Sequence, residues 1–196
     1  MKHLKMLGLL VMAAASLMAF AGRASAATLT SPTGTAFSFG GVMSASLEGS
    51  ALLKAGFAEI TCATGTVAGE VTTNNEEHAN GPITAVSFGN CTSPQGTPTV
   101  TTLSSFGRIT IAKGTHAVSG IGVEVTTAVI GTSCVYGMGS GTPLGTANNT
   151  GVAGLDQVTL AISAKLPKIG GGFLCSNPAA WTASYVVTRP SPSFVD

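Results

Sequence analysis

Apolar and polar residues alternate with a period of two along most of the chain beyond Thr35, the period of a strand whose two faces meet different surroundings. Ile121, Val123 and Val125 alternate with Gly122, Glu124 and Thr126, and Val158, Leu160 and Ile162 alternate with Thr159, Ala161 and Ser163. Residues 108–111 and 181–188 repeat the pattern. These segments predict antiparallel strands that turn aliphatic side chains inward and Thr or Ser outward. Weaker strand candidates are residues 36–39, 57–62, 67–72, 83–88 and 99–103. Residues 46–55 fit a short helix through Leu47, Leu52 and Lys54. Gly49 and Gly56 weaken that helix, and the alternation of Ala45, Leu47, Gly49, Ala51 and Leu53 favours a strand.

Turn clusters rich in Gly, Pro and Asn punctuate the strands at residues 74–82, 92–98, 137–151 and 165–178. Roughly nine or ten short strands, with no helix longer than about two turns, predict a single all-β domain. Its expected form is an antiparallel β-sandwich or a partly closed barrel.

The first 26 residues break this pattern. Lys2 and Lys5 precede an apolar run from Met6 to Ala21, and Ala24-Ser25-Ala26 supplies small residues at the cleavage positions of a signal peptidase. The segment therefore predicts a cleaved signal peptide over residues 1–26 and an exported domain over residues 27–196, periplasmic or extracellular. Export places Cys62, Cys91, Cys134 and Cys175 where thiols oxidise, so the even count predicts two disulfides. Four cysteines allow three connectivities, and the expectation is sequential pairing. Zinc chemistry is disfavoured because none of them has C-x-x-C spacing.

Charge narrows the partners. Beyond residue 26 only Lys54, Arg108, Lys113, Lys165, Lys168 and Arg189 face the eight Asp and Glu, so the formal +1 of the whole chain turns slightly negative. Scattered cations in such low number argue against nucleic acid. Charged residues make up 9% of the chain, well below the roughly 25% of ordinary soluble domains, so the solvent face is built from hydroxyls and backbone. Past the signal segment no run approaches the roughly 20 apolar residues of a membrane-spanning helix.

Several residue groups resemble a poorly characterised set of secreted bacterial proteins related to the protein activator of alkane oxidation family. They are residues 60–69 (ITCATGTVAG), residues 86–92 (VSFGNCT), Cys134-Val135-Tyr136-Gly137 and residues 181–190. The likeness spans most of the domain and rests on cysteine and strand patterns, with the Gly-rich residues 137–151 as a candidate departure. It implies a small secreted β-protein that assists growth on long-chain alkanes, and it carries no catalytic residue across.

Candidate chemistry is sparse. Glu76-Glu77-His78 is the densest ionisable group, yet it lacks the alternating ligands and placed Gly of a calcium loop, so a solvated hairpin tip is the expectation. His116 could join a Ser and Asp156 in a triad, but Gly137-Met138-Gly139-Ser140-Gly141 is not a nucleophile elbow. Glu59, Glu70 and Glu124 lie in or beside strands, where two facing carboxylates would suit a glycosidase, but nothing singles out a pair and an outward polar position is the expectation for each. Gly139, Gly141, Gly145 and residues 170–172 lack the Lys and following helix of a phosphate loop.

Trp181 and Tyr185 share one strand face. They could floor an apolar binding groove, but the expectation is that they fill the core. Together these readings predict no catalytic residue, metal or cofactor, and a secreted protein of binding or accessory type whose partner is an apolar ligand or another copy of itself. The alternatives are a structural subunit of an extracellular fibre or matrix and, third, an exported hydrolase.

Overall fold

The computed structural model describes residues 28–195 except 32, 39, 104–106, 123, 151–156 and 192. The expected signal peptide, its cleavage before Ala27, and Asp156 lie outside the described residues. Every regular element among the described residues is a strand. In chain order they begin β1 (Leu29–Thr30), β2 (Val42–Ala55), β3 (Ala58–Glu70), β4 (Thr73–Asn74) and β5 (His78–Thr92). Next come β6 (Thr99–Leu103), β7 (Arg108–Ala112), β8 (Ala117–Ile121), β9 (Glu124–Val129) and β10 (Thr132–Gly137). The chain ends with β11 (Thr142–Asn149), β12 (Val158–Leu166), β13 (Lys168–Gly171), β14 (Ala179–Arg189) and β15 (Phe194–Val195).

Eight of these close into an antiparallel barrel in chain order: β2, β3, β5, β7, β8, β11, β12 and β14, with β14 pairing back onto β2. The alternation that marked the strands becomes the distinction between lumen and outer surface. In β12, Val158, Leu160, Ile162, Ala164 and Leu166 are buried and the residues between them are not. Of the two architectures expected, the barrel is the one formed, and it is closed rather than partly closed. Closure gives every one of the eight strands a partner on both sides, which removes the unpaired edges of an open sandwich.

A second sheet, ordered β13-β10-β9-β6, contributes side chains to the barrel interior. At the termini β1 pairs with β15. Two asparagines hold this short ribbon by backbone mimicry. Asn74 accepts from the Leu29 amide at 2.8 Å and donates to the Leu29 carbonyl at 2.7 Å, while Asn149 donates to the Val195 carbonyl at 2.8 Å and accepts from its amide at 2.9 Å.

Both disulfides follow the sequential pairing, Cys62–Cys91 and Cys134–Cys175. The first joins directly opposed residues of β3 and β5. The second ties β10 to the loop between β13 and β14, fixing the second sheet to the barrel.

Residues 46–55 are strand, as the alternation favoured. Three turn assignments need correction. Residues 137–151 contain β11, residues 165–178 contain the end of β12 and all of β13, and residues 74–82 contain the start of β5. Gly and Pro are tolerated in β11 because the register shifts between Pro143 and Gly145. Gly145 is required there: at φ 152°, a Cβ would sit 1.8 Å from the Ala161 carbonyl oxygen. The strand expected at residues 36–39 is reduced to a single bridge between Ala36 and Thr30.

Candidate functional site

An eight-stranded barrel has an interior just wide enough to be filled by side chains or to hold one small ligand. Here it is not filled. A cavity of about 70 Å³ lies between the barrel and the second sheet. Leu53, Ile60, Phe88, Leu160 and Ile162 line it from the barrel, and Val100, Val125, Thr127 and Tyr136 line it from the second sheet. A further cavity of about 80 Å³ lies toward Leu29 and Val71. The two share Val67, Ile83, Ile109 and Leu160, so little more than one layer of side chains separates them.

Trp181 and Tyr185 both line the first cavity, from β14. Four residues apart on an extended strand, their side chains leave on the same face, and the rings meet edge to face with centroids 6.5 Å apart. Tyr185 is buried and Trp181 half-buried. Tyr136 faces the same space from β10 and is completely buried. Sequence reasoning gave this residue no role. Its signal was modest: Cys134, Tyr136 and Met138 fall on one parity, which marks an inward face but says nothing about a void.

Both phenol oxygens are buried beyond the cavity surface. Neither the Tyr136 nor the Tyr185 hydroxyl has a hydrogen-bond partner, and the buried Ser176 Oγ beside Tyr136 is likewise unpaired. Burial pushes the acidity of both phenols in the same direction, raising the Tyr185 pKa strongly and that of Tyr136 less. The Ser176 hydroxyl is close enough to temper the Tyr136 shift, although the pair falls short of hydrogen-bond geometry. Among the described residues no Asp, Glu, Lys, Arg or His lines the first cavity. The tyrosines thus present their rings to an almost wholly apolar enclosure, while their hydroxyls are buried away from its surface, where an unmet hydrogen bond costs more than in water.

Comparison of the chain with protein-family models, curated proteins and solved structures returns no match. The site is thus read from its own geometry.

The other candidates stay apart from this interior. In the β4–β5 turn, Asn75 Oδ1 accepts from the Glu77 and His78 amides, each at 2.9 Å, so Glu76-Glu77-His78 forms a hydrogen-bonded hairpin tip. Among the described residues no three His, Cys, Asp or Glu side chains gather as a metal site. His116 sits in the β7–β8 turn at φ 52°, its carbonyl accepting from the Ala147 amide. Glu59 and Glu70 stand at opposite ends of β3, and Glu59 pairs across the β2–β3 turn with Lys54 at 3.1 Å. Glu124 opens β9 in the other sheet, so the topology assembles no carboxylate pair from these three. Gly139 and Gly141 form the β10–β11 turn, whereas Gly145, Gly170 and Gly171 are strand residues rather than loop.

Proposed function

We propose that the protein is an exported, non-enzymatic binder that holds one small apolar molecule inside its barrel. The observation that carries this reading is the nearly all-apolar cavity between barrel and second sheet, lined by Trp181, Tyr185 and Tyr136. Apolar, largely preformed enclosures with a few polar groups are where small ligands bind. The two disulfides favour work in an oxidising compartment. With no ionisable side chain but the tyrosines on the wall among the described residues, the cavity is equipped to hold a molecule rather than to move its protons. The resemblance to alkane-activator relatives points to the same ligand class, hydrocarbons.

The fibre alternative rests on free strand edges, and barrel closure leaves few of them. Headspace partition of n-octane over the purified, disulfide-bonded domain tests the binding reading. Saturable uptake approaching one molecule per chain is expected, and it should be lost in Val125→Phe, which adds a ring to the cavity wall. Uptake that never saturates, or that survives in a folded Val125→Phe variant, would overturn it.

A further inference from the structure

The exposed apolar residues are not spread over the surface. Of the seven large apolar side chains that stand exposed among the described residues, Phe57, Ile130, Ile169, Phe173 and Leu174 gather at one end of the barrel, and Val42 and Ile121 lie elsewhere. Chain direction brings the five together. β2 ends and β3 begins at that end, which puts Phe57 at a hairpin tip. The β5–β6 loop, the β9–β10 turn at Ile130 and the β13–β14 loop carrying Phe173 and Leu174 reach the same end. Glycine positions report how closely these tips approach one another. A Cβ on Gly56 would lie 3.1 Å from the Leu174 carbonyl oxygen, one on Gly171 2.5 Å from that of Ser133, and one on Gly96 3.5 Å from Ile130 Cγ1. The Glu59 amide closes the ring of tips by donating to Gln95 Oε1 at 3.2 Å. Phe173, 93% exposed after three consecutive glycines, is the most prominent side chain of the patch.

Lysines surround the patch, and carboxylates gather at the opposite end. Lys165, Ala180 and Lys54 stand side by side across β12, β14 and β2. The Lys168 ammonium donates to the Gly172 carbonyl at 3.4 Å, at the foot of Phe173. Glu59, paired with Lys54, is the one carboxylate at this end among the described residues, so the local balance is positive. Glu70, Glu76 and Glu77 lie at the other end, where β3 finishes and β5 starts.

From apolar tips flanked by lysines, the geometry points to a membrane-docking end. Its apolar side chains enter the headgroup region of an anionic phospholipid bilayer while Lys54, Lys165 and Lys168 meet the lipid phosphates. Interfacial binding combines buried apolar area with attraction to anionic lipid, and both are supplied here at one place. A second copy of the chain fits this surface less well. Pairing two such ends would set lysines against lysines. The opposite end has the carboxylates but only Val42, among the exposed large apolar residues, to cover the five. The first cavity lies beneath the docking end, lined by Leu53, Ile60 and Leu166 near the strand ends there, although docking does not depend on what that cavity holds.

Flotation with lipid vesicles tests the proposal. The disulfide-bonded domain, which holds every described strand, is used without residues 1–26, whose apolar run would bind lipid by itself. Vesicles of equal parts phosphatidylglycerol and phosphatidylcholine should carry the domain upward at low salt, and phosphatidylcholine alone should bind it at least about tenfold more weakly. Phe173→Ser combined with Leu174→Ser should weaken binding to the mixed vesicles at least about tenfold. Lys165→Gln combined with Lys168→Gln should weaken it at least about tenfold as well, at about fivefold per charge. Val42→Ser, exposed at the other end, should leave binding unchanged. All five side chains are at least half-exposed, and a thermal melt of each variant shows whether the fold is intact. Equal binding to both vesicle types, or binding that survives loss of Phe173 and Leu174, overturns the proposal. Absence of binding overturns it too, and sedimentation that shows self-association abolished by Phe173→Ser would then assign the patch to a second copy. Uptake of n-octane should be the same in the Ser variants as in the parent, so the cavity reading and the docking reading fail separately.

Discussion

Tyr185→Phe should make the empty protein more stable, the reverse of the usual result for a buried tyrosine. The ring lines the cavity and stays in place, so the substitution removes a hydroxyl that has no partner and little else. Leaving such a group unpaired costs about 1–3 kcal/mol, and its removal is expected to return about 1–2 kcal/mol after the lost dispersion of one oxygen. For a domain of this size that corresponds to a rise in Tm of about 2–4 °C per kcal/mol. Urea unfolding at pH 7, followed by Trp181 emission, measures it directly. A Phe variant less stable than the parent by 1 kcal/mol or more, with no ligand present, would show that the hydroxyl is satisfied and would refute the reasoning.

The same residue predicts an alkaline instability. Burial raises the Tyr185 pKa, so the folded protein keeps a proton that the unfolded chain releases above about pH 10. Between the unfolded and folded values the unfolded state binds fewer protons, and stability falls as pH rises, by about 1.4 kcal/mol per pH unit from this one group. Below about pH 10 the contribution is complete and pH-independent. Tyr136 is shifted in the same direction and adds a second, smaller share. The stabilising effect of Tyr185→Phe should therefore grow from pH 9 to pH 11, and a pH-independent difference would contradict the burial of the phenol.

Serine replacement of both Cys62 and Cys91, which close a span of 29 residues, should cost about 3.5 kcal/mol in urea unfolding, and replacement of Cys134 and Cys175, spanning 41, slightly more; an unchanged midpoint would contradict this. Gly145→Ala should lower stability by at least about 3 kcal/mol, since its Cβ meets the Ala161 backbone oxygen at 1.8 Å, whereas Gly139→Ala, with nothing closer than 3.8 Å, should cost less than about 1 kcal/mol by thermal melt. Asn74→Ala removes the two bonds to Leu29 and a third to the Phe37 carbonyl, and should speed exchange of the Leu29 amide by at least about tenfold in hydrogen-exchange measurements.

Strand identity was legible where alternation was clean, as in β12, and it failed where local chemistry argued against a strand. Pro143, Gly145, Asn148 and Asn149 give β11 the composition of a loop, yet the neighbouring β8 and β12 supply the pairing that the segment cannot specify alone. Local propensity loses there because a register shift at Pro143 and Gly145 turns both residues to use. The sequence admitted a sandwich and a barrel alike, and full closure was not legible in it. It depends on β14 meeting β2 across the length of the domain, and no local pattern encodes which of two compatible partners an edge will take.

The cavity was half legible for a related reason. The parity that puts Trp181 and Tyr185 on one face is a property of the strand, but whether that face packs or lines a void depends on what stands opposite. Opposite stands the second sheet, whose inward side chains at Val100, Val125 and Thr127 are of moderate size, while Ala51 faces the same space from β2. Aromatic residues make up 6% of the chain, and Phe88, Trp181, Tyr136 and Tyr185 are the ones on this wall. The surface these rings present is apolar, so the void carries no chemical preference beyond apolarity. The hydroxyls of Tyr136 and Tyr185 do not alter this, because they are buried away from the cavity surface and cost the protein stability without adding polarity to the wall. The gain predicted for Tyr185→Phe is therefore a property of the fold, and n-octane uptake by the variant should match that of the parent, because the ring that faces the cavity stays in place.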